Sequence, residues 1–112
     1  MRSDWWLPAY IAIGSNIDDP KTQVSLAVTE LGTLRETRRV QVSRFYSSPP
    51  LGPPDQPDYV NAVAALLTRQ EPTGLLAELL RIEARMGRQR GAEKWGPRRI
   101  DLDLLMHGDN VM

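Results

Sequence analysis

The sequence predicts an α+β fold, a ferredoxin-like split βαβ sandwich in which an antiparallel sheet carries its helices on one face. Three observations lead there. Short apolar, partly alternating runs occupy residues 9–16, 38–46, 59–67 and 100–106. Two stripes of helical period open at Pro20 and Pro72. The resulting order is strand, helix, strand, strand, helix, strand.

The first run, AYIAIGSN at residues 9–16, is partly β-branched and is stopped by Gly14, Ser15 and Asn16, as expected of a short strand and turn. Asp19 then offers an N-cap and Pro20 a first helical position, where its fixed φ suits a helix start. Val24, Ala27, Val28 and Leu31 recur at helical spacing as far as Gly32, a C-terminal cap. Val40 and Val42 alternate with polar neighbours until Phe45 and Tyr46 disturb the period, which predicts a strand with a bulge.

Residues 59–67 put Tyr59, Asn61, Val63 and Ala65 on one face and Val60, Ala62, Ala64 and Leu66 on the other. Both faces are largely apolar, so this strand belongs in the sheet's interior. Pro72 opens the second helix, whose Leu75, Leu79, Ile82 and Met86 form one stripe flanked by Leu76 and Leu80 before Gly87 ends it. A polar segment, residues 88–99, leads to a last strand in which Ile100, Leu102, Leu104 and Met106 share a face.

Length and composition fit a single domain over residues 9–112 behind a flexible leader, residues 1–8. Lys+Arg and Asp+Glu both total 14, so no net field draws the chain to nucleic acid or an anionic membrane. The absence of cysteine excludes disulfides and thiolate metal sites and fits a reducing cytosol. Asp4 and Pro8 interrupt the start, so it lacks the apolar stretch of a signal peptide. The expectation is a soluble cytoplasmic monomer with no membrane and no nucleic-acid partner. Trp5 and Trp6 either anchor something hydrophobic or belong to the leader.

Charge is nevertheless local. Residues 81–99 hold seven basic side chains against Glu83 and Glu93. Just beyond, Asp101 and Asp103 point to one strand face, roughly 6.6 Å apart at about 3.3 Å per residue. Such a pair is either the wet face of an amphipathic strand or a binding place for Mg²⁺, which is commonly shared between carboxylates and phosphates. Arg98 and its upstream neighbours bring guanidinium groups that fit phosphate oxygens, so metal ions bridging the two charge types would accommodate a polyphosphate. Arg81 and Arg85 read as a solvated helix face. Arg88, Arg90 and Arg98 lie in a Gly-containing loop able to close over a ligand, where Trp95 either stacks on a base or pins the loop.

Five prolines between positions 49 and 57 stiffen the loop that leads to Tyr59 and Asn61. An Asn amide offers donor and acceptor to a heterocycle edge and Tyr a flat wall; the plainer alternative is a rigid connector and a satisfied core Asn. There is no GxxxxGK[ST] loop, and IGSN is too short to be claimed as a phosphate cradle. His107, the single histidine, reads as an ordinary strand-end residue.

Three stretches, YIAIGSN (10–16), SSPPLGPPDQPDYVNAV (47–63) and GRQRGAEKWGPRRIDLDLL (87–105), together resemble hydroxymethyl-dihydropterin pyrophosphokinase of folate biosynthesis. The resemblance runs from about Ala9 to the chain end and implies transfer of the terminal pyrophosphate of ATP to the pterin hydroxymethyl group, releasing AMP. It further implies two Mg²⁺ ions on Asp101 and Asp103, phosphate contacts from Arg88 and Arg98, and Arg90 and Trp95 on a closing loop. Glu83 and Leu104 would line the nucleotide side. The pterin would meet Ser48, commonly threonine in the family, with Pro49, Leu51, Tyr59 and Asn61. Phosphoryl-type transfer needs alignment and charge neutralisation more than a covalent intermediate, which suits a chain without a histidine base.

Family members continue past the position of Met112 with a His-Tyr pair, a basic residue for ATP and an aromatic for the pterin, so a C-terminally truncated member is expected. A non-catalytic remnant that binds pterin or nucleotide is the alternative. A small nucleic-acid module using the 81–99 patch is the third reading, opposed by zero net charge and the lack of an aromatic-rich RNP-type strand.

Overall fold

The computed structural model describes residues 2–50, 52, 54–87 and 98–112. Its elements are β1 (Arg2–Ser15), α1 (Pro20–Leu31), β2 (Thr37–Val42), β3 (Tyr46–Ser48), β4 (Tyr59–Gln70), α2 (Pro72–Arg85), β5 (Asp101–His107) and β6 (Asn110–Val111). The described strands form one antiparallel sheet ordered β2-β4-β1-β5-β6, with β3 also paired to β4. β2 follows β1 in the chain, yet β4 lies between them. The first strand–helix–strand unit is therefore split by a later strand, as the ferredoxin-like expectation requires.

Both helices cover the same face. Val24, Ala27 and Leu31 of α1 and Leu75, Leu79 and Ile82 of α2 meet Ala9, Ile11, Ile13, Ala62, Ala64, Leu66, Ile100 and Leu104 in one core. Burying each large aliphatic side chain contributes about 1.5–3 kcal/mol. A one-residue slip of any inner strand would turn that set to the open face, so burial fixes the register. The opposite side chains, among them Ala12, Asn61, Val63, Asp101 and Asp103, face away from the helices.

Several elements differ from the sequence expectation. β1 begins at Arg2 rather than near Ala9, and Arg2 pairs with Gln70 beyond a register shift that ends at Leu7. Trp6 carries the Arg38 guanidinium 4.5 Å from its ring centre and that of Arg69 at 5.7 Å, a cation–π stack that ties this extension to β2 and β4. The strand expected over 38–46 is two strands, and its irregularity falls between Arg39 and Gln41, earlier than the aromatic pair suggested. Asp19 occupies the N-cap position in a left-handed conformation without a side-chain cap bond; its Oδ2 instead accepts from Thr22 Oγ1 at 2.7 Å.

The last strand brings the clearest correction. Tyr10 pairs with Met106 but Ile11 with Leu104, so Leu105 is an extra residue on β5. The alternation slips there. Met106 leaves the face of Leu102 and Leu104, and His107 takes the core side at 4% exposure. Its Nε2 lies 2.7 Å from the Gln70 carbonyl. A carbonyl only accepts, so Nε2 carries the proton and donates.

Candidate functional site

On the helix-free face, residues paired across the sheet fall into two rows. Asp101 pairs with Gly14, Gly14 with Asn61, and Asn61 with Tyr46. One step along, Asp103 pairs with Ala12 and Ala12 with Val63. Directly paired side chains share a face, so the carboxylates stand two strands from Asn61, roughly 10 Å at about 4.8 Å per strand. Between them β1 presents only Gly14 and Ala12. The result is a shallow trough with an acidic wall on β5 and an amide-and-aromatic wall on β4.

A side chain at Gly14 would crowd the floor of that trough. A Cβ at Gly14 would lie 3.2 Å from Asn61 Oδ1 and 3.3 Å from Tyr59 Cδ1, closer than ordinary van der Waals contact. Asn61 is held on its other side. Its Nδ2 donates to Ser48 Oγ at 2.8 Å and more weakly to the Tyr46 carbonyl at 3.3 Å. Those acceptors fix the amide orientation and leave Oδ1 turned over Gly14. Ser48 pairs directly with Tyr59, so the three predicted residues Ser48, Tyr59 and Asn61 do assemble, with exposed Pro49 next in the chain.

Arg98 is fixed at the head of β5. Its backbone N–H donates to Asn16 Oδ1 at 2.8 Å and its carbonyl accepts the Asn16 N–H at 3.0 Å. Arg99 braces the same segment, donating from Nε to Asp18 Oδ2 at 2.8 Å and from Nη1 to the Met86 carbonyl at 3.3 Å. Arg81 pairs with the half-buried Glu78 at 2.8 Å and Arg85 with Glu30 at 3.1 Å, both arginines themselves lying on exposed helix surface.

Glu83 and Leu104 lie elsewhere. Leu104 belongs to the apolar core, and Glu83, 3% exposed, accepts the Leu102 N–H at 2.8 Å. Leu51, Arg88, Arg90 and Trp95 lie outside the described residues.

Among the described residues no cluster of three or more His, Asp or Glu side chains is gathered for a metal ion. Sequence reasoning missed Gly14 and Asn16. IGSN reads in the sequence as a strand end and turn, too short for a phosphate cradle, whereas these two residues act through packing and hydrogen bonds to distant segments.

The family model described as 7,8-dihydro-6-hydroxymethylpterin-pyrophosphokinase matches residues 10–111. A 2-amino-4-hydroxy-6-hydroxymethyldihydropteridine pyrophosphokinase of Haemophilus influenzae is 48% identical over 106 residues, 95% of this chain and 66% of that protein. The protein of the same name from Pseudomonas aeruginosa is 48% identical over 103 residues, covering 92% and 63%. That from Pseudomonas putida is 45% identical over 104 residues, covering 93% and 85%. The chain thus spans just under two thirds of the length of the first two relatives.

Proposed function

We propose, from the premise that this chain belongs to the 7,8-dihydro-6-hydroxymethylpterin-pyrophosphokinase family, that it transfers pyrophosphate from ATP to the hydroxymethyl group of 6-hydroxymethyl-7,8-dihydropterin. The observation that carries this reading is the common face shared by Asp101, Asp103, Asn61, Tyr59 and Ser48 across a floor of Gly14 and Ala12. One substrate's phosphates would meet the acidic wall while the other's ring meets the amide wall. The pterin hydroxyl oxygen forms the new bond to the β-phosphorus, the α,β-bridging bond breaks, AMP leaves with the bridging oxygen, and the hydroxyl proton is released.

No side chain need become covalently attached. Asp101 and Asp103 would hold Mg²⁺, two ions by the family resemblance, which when bound neutralises phosphate charge and aligns the chain of phosphates. Arg98, with Arg88, would take phosphate oxygens and stabilise charge that builds in the transition state. Arg90 and Trp95 would close over the nucleotide. Asn61 Oδ1 would accept from the donor edge of the pterin while Tyr59 supports its face, with Pro49 and Leu51 bounding it. Glu83 and Leu104 would act from beneath the nucleotide side, by seating β5.

ATP and the pterin are the partners of this reading, which places a monomer in the cytoplasm without nucleic acid or membrane. Zero formal net charge speaks against attraction to nucleic acid or an anionic membrane, and no described helix is long and apolar enough to cross a membrane. The test is AMP formation from ATP, the reduced hydroxymethyl pterin and Mg²⁺ by the full chain. Binding of both ligands without AMP would replace the enzyme by the non-catalytic binder, and binding of neither would remove the reading.

A further inference from the structure

β2 and β3 lie end to end along one side of β4, yet they are out of step with each other. On β2, Val42 stands opposite Ala64, while on β3 Tyr46 stands opposite Asn61. Ser43, Arg44 and Phe45 therefore face only Val63 and Ala62, and one residue is extra. Because side chains alternate, that residue reverses the face of everything beyond it. A ladder continued without it would set Phe45 opposite Asn61 and Ser47 opposite Tyr59 on the open face. The observed register sets Tyr46 and Ser48 there.

The irregularity begins at Ser43. Its backbone N–H donates to the Val63 carbonyl at 2.9 Å. In a regular antiparallel pair the Val63 N–H would return to the Ser43 carbonyl. It goes instead to Ser43 Oγ at 2.8 Å, and the hydroxyl donates onward to the Arg44 carbonyl at 2.9 Å. A hydroxyl both accepts and donates, so it ends the first ladder with each of these groups satisfied. The strand itself chooses weakly between the two registers. Phe45 with Ser47 and Tyr46 with Ser48 are alike, each an aromatic followed two places on by a serine.

We propose that Ser43 is a positioning residue for pterin recognition: its hydroxyl holds the extra residue between β2 and β3 and so makes Ser48, not Ser47, the partner of Asn61. Ser48 Oγ fixes the Asn61 amide at 2.8 Å, and the stiff proline loop starts at the next residue, Pro49. A slip by one residue would move that loop's anchor about 3.3 Å along β4. The inference rests on the functional reading above and adds to it the residue that sets the pterin wall.

The experiment is steady-state AMP formation, with pterin and ATP varied in turn, by the full chain, Ser43→Thr, Ser43→Ala, and Ser43→Ala with Arg44 deleted. Ser43→Thr keeps the hydroxyl and should leave both KM values within about twofold. Ser43→Ala should raise the pterin KM about fivefold while the ATP KM stays within about twofold. Deleting Arg44 removes the extra residue, so a regular ladder from Val42 again brings Tyr46 opposite Asn61 with no hydroxyl needed. The pterin KM should then return to within about twofold of the unaltered value, whereas a merely local loss would be worsened by the deletion. An unchanged pterin KM in Ser43→Ala, an equal rise in both KM values, or no recovery on deletion overturns the inference. Should Ser43→Ala not fold, the deletion variant decides in the same way. An unaltered chain that forms no AMP removes the functional reading, and nuclear Overhauser contacts then judge the register alone. The Asn61 side-chain amide should contact Ser48 in the unaltered chain and the deletion variant, and lose that contact in Ser43→Ala; its persistence there overturns the proposal.

Discussion

Gly14→Ala probes the trough floor with a single methyl group. The backbone at Gly14 is not in the left-handed region, so alanine enters without strain, and removing a glycine from a strand favours folding by about 0.5–1 kcal/mol. Against that, the new Cβ would stand 3.2 Å from Asn61 Oδ1 and 3.3 Å from Tyr59 Cδ1, so both must move by a few tenths of an ångström. Asn61 is tethered at 2.8 Å to Ser48, and its movement is paid in hydrogen-bond geometry towards the pterin. Loss of one such bond is about 1 kcal/mol, roughly a fivefold rise in pterin KM. The melting temperature should stay within about 5 °C. The assay is steady-state AMP formation with the pterin varied at saturating Mg²⁺ and ATP, then with ATP varied at saturating pterin. A rise confined to the ATP KM, or no rise in either, refutes the assignment of Asn61 and Tyr59 to the pterin side.

Three further substitutions separate site from scaffold. Asp103 is exposed, so Asp103→Ala should change stability by no more than about 0.5 kcal/mol while abolishing AMP formation; retained turnover removes Asp103 from the site. Glu83→Ala should strip the partly buried Leu102 N–H of its charged acceptor and lower unfolding free energy by about 1–3 kcal/mol, read as a reduced urea midpoint; an unchanged midpoint refutes the role in seating β5. His107→Phe keeps an aromatic ring in the core but leaves the Gln70 carbonyl without its 2.7 Å donor. Unfolding free energy should fall by about 1–3 kcal/mol, whereas equal stability would mean that shape alone matters there.

The helices were legible because their signals are local. Pro20 and Pro72 set φ at each start, and the Leu75, Leu79 and Ile82 stripe needs only a period of 3.6 to meet a core. The paired faces of β4 and the common direction of Asp101 and Asp103 follow equally from a period of two. Strand limits were read less well. Arg2–Leu7 has no alternation that announces a strand, and it joins β1 through pairing with β4 and a stack of Trp6 on arginines that lie more than thirty residues away.

By itself the sequence determined the two helices, the four longer strands in their order, and the residue kinds that suit a polyphosphate and a heterocycle, but not the short β3 and β6. Tertiary structure alone decided that Asp101, Gly14 and Asn61 stand in one row, that Leu105 bulges to carry His107 into the core, and that Asn16 reaches both Pro57 and Arg98. The reason lies in the range of the forces. Periodicity is written in neighbouring dihedral angles, whereas register is chosen by whichever alignment buries the most apolar surface and satisfies every enclosed polar group, a sum taken over strands far apart in the chain.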